Sequence, residues 1–289
     1  MMKLKLYLKN LIKPAPLLVS LLSLFLLAGC SGEIKPTYKE KDIPDIIKKI
    51  CKDEYGLDVT TQRTKTTLWI YAPMDKLLHK EYGIKADKIF DDGMLDKLRN
   101  ILTTIGRVLI SSDNTPEFFA VVYSDIKLGI DYTMIGNVLD IKKSSADFIP
   151  WTEANRRYVV RFKVSPESIN DTTGFHFLPY DITITEFLAD QISQRIGAQF
   201  QEDEIKNNFK VEKSEGKFSD GIFYISYSIT ETSKPKQKIN VRKEMLKTAA
   251  YCLKTYEFQN FTGVTLIDLV TQERVDYDKK EVLDMANQL

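Results

Sequence analysis

The sequence predicts an α+β fold of two similar lobes, each running α-β-β-α-β, with antiparallel sheets and helices packed on one face. Three observations lead there. Apolar spacing switches from helical to strand-like and back in the same order twice, within residues 42–143 and 182–289. The 289 residues are 43% hydrophobic and include 2 Trp, 14 Tyr and 15 Phe, enough to bury a substantial core. Each half also closes on a short echo: Ile130-Asp131-Tyr132 precedes Val138-Leu139-Asp140, and Val275-Asp276-Tyr277 precedes Val282-Leu283-Asp284. Matched element order with echoed letters is what an internal duplication would leave.

The elements follow in chain order. Ile43, Ile46, Ile47, Ile50 and Cys51 share one helical face, with Asp42 as cap and Gly56 as stop. Residues 57–63 and 66–71 are β-rich and closely joined, which predicts a hairpin. A helix from about Met94 carries Leu95, Leu98, Ile101, Leu102, Ile105, Val108 and Leu109 on one stripe. Asp91-Asp92 precedes it as a cap, Pro116 follows it, and residues 118–123 read as a buried strand. Residues 130–141 satisfy both spacings: β-branched residues and Gly136 favour strand, while Ile130, Met134, Ile135, Val138 and Leu139 fit a helix.

Residues 144–181 read as a connecting segment, with strand-like alternation at 157–164 and a Gly/Pro loop at 170–180. In the second half, Thr183 and Glu186 form a capping box ahead of Ile184, Phe187, Leu188, Ile192 and Ile196. A hairpin is expected over 209–213 and 221–229, a helix from Val241, and a strand over 264–270.

The N-terminus carries a targeting pattern. Lys3, Lys5, Lys9 and Lys13 stand without an acidic residue, and Leu17 to Leu27 is an eleven-residue apolar run broken only by two serines. A membrane-spanning helix needs about 20 apolar residues, so the run suits the core of a signal peptide. It ends in Leu27-Ala28-Gly29-Cys30. This resembles the lipobox of bacterial lipoproteins. The resemblance covers residues 1–30 alone and implies cleavage before Cys30, acylation of that cysteine by diacylglyceryl and a further acyl chain such as palmitate, and attachment to the bilayer. Ser31 in place of Asp favours the outer membrane, facing the periplasm. Residues 30–41 would be the lipidated tether, and multiple acyl chains give stable anchoring.

Charge and composition narrow the function. With 41 Lys+Arg against 40 Asp+Glu, there is no basic surplus for nucleic acid. Loss of residues 1–29 removes four lysines and no acid, so the mature charge becomes about −3. Of the 2 histidines, His79 reads as a surface residue and His176 as loop packing between Phe175 and Phe177. Neither lies near a nucleophile motif. No His or Cys pair has chelating spacing, so no metal or cofactor is expected. Asp131, Asp140, Asp276 and Asp284 occupy the echoed places and would be the carboxylates of a hydrolase, although a solvated strand face explains them more simply.

Cys51 and Cys252 lie on apolar helical faces in different halves. In an oxidising periplasm they are candidates for a disulfide, with buried free thiols as the alternative. Trp151, Phe175, Phe177 and Tyr180 gather in the connecting segment, as candidates to line a ligand site or to plug the seam. The function expected is a non-catalytic envelope lipoprotein acting in interaction or assembly, with a protein partner in the envelope. The alternatives are a periplasm-facing binder of a small ligand or glycan and, behind it, a hydrolase using paired aspartates.

Overall fold

Both lobes keep strand direction at their centre, where two neighbouring strands run parallel. The computed structural model describes residues 36–79, 89–201, 208–233 and 239–288; the basic stretch, the lipobox and Cys30 fall outside them. The first lobe runs α1 (Ile43–Tyr55), β1 (Thr60–Thr64), β2 (Thr67–Met74), α2 (Asp92–Ile110), β3 (Phe118–Asp125), β4 (Ile130–Asn137), α3 (Val138–Ser145), with α4 (Trp151–Arg156) and β5 (Val159–Val164) following. The second runs α5 (Ile184–Gln199), β6 (Phe209–Ser219), β7 (Ile222–Glu231), α6 (Val241–Thr255), β8 (Gly263–Asp268), β9 (Arg274–Asp278), α7 (Lys279–Asn287). The two similar lobes are therefore each α-β-β-α-β-β-α, one strand and one helix longer than expected.

Strand order is β1-β2-β3-β4-β5 in one sheet and β6-β7-β8-β9 in the other. The sheets are mixed rather than antiparallel. β2 pairs parallel with β3, and β7 with β8, while their other neighbours are antiparallel. The reason is the helix inside each lobe: α2 and α6 carry the chain back along the sheet, so the next strand must run in the same direction.

The registers align the lobes residue by residue. Thr64 pairs Thr67 where Ser219 pairs Ile222; Thr67 pairs Phe118 where Ile222 pairs Gly263; Phe118 pairs Asn137 where Gly263 pairs Asp278. This alignment displaces the echoed letters. Asp131 stands six positions before the helix cap Asn137, but Asp276 only two before the cap Asp278. Asp140 is the third residue of α3, Asp284 the sixth of α7. The fold repeats, while the letters that suggested the repeat do not superpose. The undecided segment 130–141 is both things in turn, switching at Asn137, whose side chain accepts from the Leu139 N–H at 2.8 Å.

Local chemistry sets the ends. Gly56 stops α1 with φ 65°, a left-handed conformation that suits glycine. Asp91 caps α2 by accepting from Gly93 N. At α5, Thr183 accepts from Glu186 N at 3.2 Å, but the reciprocal half of the expected box is missing because Glu186 bonds Arg161 and Tyr180 instead.

Residues 38–289 make one compact unit. One core lies between α1, α2 and the first sheet, a second between α5, α6, α7 and the second sheet. A third covers the opposite face of the first sheet, where Trp69, Phe118, Val122 and Ile135 meet Ile182 and Phe187. The first sheet is thus covered on both faces, not one. Residues 144–181 are correspondingly more than a connector: β5 extends the first sheet, and the loop after it lies across that second face. Equivalent positions diverge to match. Trp69 and Ile135 are buried, whereas their counterparts Tyr224 and Asp276 are half-buried and exposed on the outer face of the second sheet; on the strand between, Ala120 and Thr265 are both buried. Cys51 belongs to the first core and Cys252 to the second, both buried free thiols, so the bridge between halves is not formed. Each is held in the core of its own lobe.

Candidate functional site

The seam between the lobes is organised by α5. One side of this helix packs on its own sheet, where Ala189 meets β6 at Gly216. The other side faces the first lobe. Phe187 lies 5.1 Å from Phe118, and Asp190 and Glu186 accept from the Arg161 guanidinium. Gln194 accepts from Val160 N at 2.9 Å and donates to Val160 C=O at 2.7 Å. Its carboxamide thus does for edge strand β5 what a neighbouring strand would do, satisfying both groups of one residue.

Beside this contact lies a buried charge network. Asp140, 3% exposed, accepts from Arg157 at 2.7 Å and from the Tyr256 hydroxyl. Arg157, 8% exposed, also donates to Glu153 at 2.9 Å. Gln191 donates to Arg157 C=O at 2.7 Å and to the Tyr256 oxygen at 2.9 Å. Glu153 further accepts from Arg195 at 2.9 Å and Tyr251 at 2.7 Å, and Arg195 lies 4.4 Å above the Tyr251 ring. The participants come from α3, α4, α5 and α6, so the network ties both lobes and the segment between them. Burial, together with the Asp140 charge, pushes the Tyr256 phenol far above its ordinary range and keeps it a donor.

Burial alone would raise the Glu153 pKa, but the bonds from Arg195, Tyr251 and Arg157 prevail and lower it from 4.5 to about 2. A carboxylate whose folded pKa is depressed contributes stability that is complete above its unfolded pKa and disappears as pH falls through the folded value. The contribution of Glu153 should therefore be intact above pH 4.5 and decline between there and pH 2. Thermal melts over pH 2.5 to 6 are expected to show a steeper acid loss for the parent than for Glu153→Gln. Equal slopes would detach Glu153 from the effect.

A groove of about 580 Å³ opens over this network, lined among others by Asn155, Arg156, Gln194, Arg195, Lys247 and Tyr251. Lys247 is paired with Glu244 at 2.8 Å. Glu244 lines the groove too, and Arg195 is held by Glu153, so the groove offers carboxamides, hydroxyls and paired charges, which suit a polar ligand carrying hydroxyl groups.

The sequence-derived candidates are distributed differently. Phe177 and Tyr180 both pack against Trp69, tilted to its ring with centroids 4.7 and 5.3 Å away, and Trp69 Nε1 donates to Tyr180 C=O. They seal the second face of the first sheet. Phe175 is 89% exposed and Trp151 also faces solvent, so the four aromatics do not form one ligand site. The reason is the turn closed by Phe177 N on Gly174 C=O, which sends Phe175 outward. Arg195 and Tyr251 read in the sequence as ordinary solvated helix positions, and Glu153, which bonds both, lies in the segment read as a polar connector. Adjacency of Arg195 to the Ile192–Ile196 stripe was the available signal.

His176 has a more definite role than loop packing. Its Nδ1 lies 2.7 Å from Asp171 and its Nε2 3.1 Å from Asp131, all three side chains largely buried. The Tyr71 hydroxyl donates to Asp171 C=O at 2.6 Å. A general base needs one ring nitrogen facing a nucleophile. Here both nitrogens face carboxylates, so the arrangement clasps the loop to the sheet. Asp171 is buried, which alone would raise its pKa, but bonds from the His176 backbone and ring and from Thr173 hold it well below the carboxylate range.

The four aspartates do not converge: Asp131 serves His176, Asp140 serves Arg157, Asp276 accepts from Thr265 and Arg274, and Asp284 is exposed. Among the described residues, no group of three or more His, Cys, Asp or Glu is arranged to hold a metal ion. Compared with known proteins, the chain matches no family model, no curated protein and no solved structure, so its fold and site stand on their own residues.

Proposed function

We propose that this chain is a bacterial envelope lipoprotein, anchored through acylated Cys30, whose non-catalytic body works by engaging another envelope protein. Support for the anchor comes from the order of basic stretch, apolar run and Leu27-Ala28-Gly29-Cys30. Among the described residues no helix is long and apolar enough to cross a membrane, so attachment in this reading rests on the lipid.

The observation that carries the interaction role is an exposed apolar strip along β5. Phe162 is 55% and Val164 74% exposed, and Leu128 and Ile169 are exposed beside them at the Gly129 turn. Ser165 N bonds Gly129 C=O, which puts the backbone groups of Phe162 and Val164 on the outward edge. Apolar side chains on an open strand edge form a contact surface for a partner.

A photo-crosslinking residue in place of Val164, in cells, is expected to capture one reproducible envelope protein, and Phe162→Lys should abolish the adduct. Cys30→Ser should release the chain from membranes. Capture of nothing above background would turn the reading toward a second one, a periplasm-facing binder of a small ligand or glycan fragment, which the groove of about 580 Å³ favours. That binder should show a raised melting temperature with one class of cell-wall fragment.

A further inference from the structure

The comparison between lobes identifies a strand edge that only one of them fills. In the first sheet, β4 carries β5 on its outer side. In the second, β9 takes the place of β4 and ends the sheet. Of the other terminal strands, β5 is blocked at one residue and β6 is bulged. Gln194 occupies both groups of Val160 on β5. A bulge at Val211/Lys213 breaks β6. Bulges are a usual means of blocking an edge.

The β9 edge is regular. Asp268 N bonds Glu273 C=O and Lys279 N bonds Thr262 C=O, so residues 273, 275, 277 and 279 turn their backbone groups toward β8. The backbone N–H and C=O of Arg274 and Asp276 consequently point outward. Their side chains share the outer face of the sheet, where Arg274 Nε lies 2.9 Å from Asp276 Oδ1.

We infer that β9 is a self-association edge, pairing antiparallel with β9 of a second copy about a twofold axis through Val275. The sequence Arg274-Val275-Asp276 is self-complementary under that operation. Each Arg274 falls opposite the partner's Asp276, and the two outward residues exchange four backbone hydrogen bonds across the axis. Opposite charges directly across an antiparallel pair are favourable, whereas like charges there repel. Val275 meets its own copy at the non-hydrogen-bonded position. The two four-stranded sheets become one of eight strands, and the closed twofold prevents further growth.

A five-residue strand contributes less than the roughly 800 Å² per partner of an ordinary stable interface, so the dimer is weak in dilute solution. It forms where copies are concentrated, as two anchored copies in one membrane would be. The pairing itself follows from the lobe comparison and does not depend on the lipid.

Val275→Cys in the full-length chain, mildly oxidised in its own membranes and run on a non-reducing gel, tests the register. Non-hydrogen-bonded antiparallel partners have Cα atoms about 4.5 Å apart, within disulfide reach. A covalent dimer is expected for Val275→Cys and none for Lys280→Cys, an exposed position on α7. Adding Arg274→Asp to Val275→Cys should cut the dimer at least tenfold. The swap Arg274→Asp with Asp276→Arg should restore it. A missing dimer, equal crosslinking at Lys280→Cys, or failure of the swap to restore would overturn the proposal. Fractionating the same cells separates the two claims: a soluble protein that still crosslinks refutes the anchor and leaves the edge standing.

Discussion

Asp140→Ala should lower the unfolding free energy by about 3 kcal/mol, the low end of what removing one partner of a buried ion pair costs. Arg157 is 8% exposed and would keep Glu153 as its carboxylate partner, while the half-buried Tyr256 would lose the acceptor of its hydroxyl. Urea denaturation followed by both tryptophan fluorescence and circular dichroism measures it.

The shape of the transition matters as much as its midpoint. Asp140 lies in the first lobe, Tyr256 at the end of α6 in the second, and Arg157 between them, so the network couples the lobes. The parent is expected to unfold in one transition seen alike by both probes, and Asp140→Ala in two that no longer coincide. A loss below about 1 kcal/mol would mean that the pair carries little net energy, as buried pairs can when their desolvation offsets their attraction. Replacing both partners, Asp140→Val with Arg157→Met, should regain much of the loss, because no charge is then left buried alone.

Elements that bury one stripe or one face were legible in the sequence. The spacing of Ile43, Ile47 and Cys51 gave α1, and the stripe through Ile101, Ile105 and Val108 gave α2, because an amphipathic helix writes its period directly into the chain. The joined β-rich runs gave both hairpins. What failed was what depends on neighbours distant in sequence. Parallel pairing of β2 with β3 leaves no local trace; it follows only once α2 is known to cross back over the sheet. Residues 130–141 could not be assigned because strand and helix meet at Asn137 without a loop, so each window contained half of two periods.

The candidate site was less legible still. Arg157, Asp140 and Glu153 look like surface charges in a linear reading, and only tertiary contact makes them interior. His176 was recognised as packed within its loop, but its two carboxylates come from positions 5 and 45 residues away. The echo around Asp131 and Asp276 pointed to a real repeat through letters that the strand registers do not align. One aspartate sits against a covered face and the other on an exposed one, so they answer to different surroundings.

Two glycine substitutions in the second lobe should have opposite signs. A Cβ at Gly216 would stand 1.9 Å from the Ala189 carbonyl oxygen and 2.5 Å from its carbon. Those atoms are helix backbone and cannot rotate aside, so α5 would have to move off β6. Gly216→Ala is expected to cost about 2–3 kcal/mol, the upper part of the usual range for overpacking. Gly197, on α5 itself, would place its Cβ 3.8 Å from Ser214 Cβ, an ordinary contact. Gly197→Ala should therefore stabilise by about 0.5–1 kcal/mol, the gain from removing a glycine inside a helix. The contrast isolates position, since the added methyl group is the same. It also bears on the seam, because α5 presents Asp190, Gln194 and Arg195 to the first lobe. Displacing it at Gly216 should loosen the groove and raise the amide exchange of Val160, whose N–H is held by Gln194 alone on that edge. Unchanged exchange at Val160, with stability lost as expected, would mean that α5 bends locally at Ala189 and that its two faces are mechanically independent.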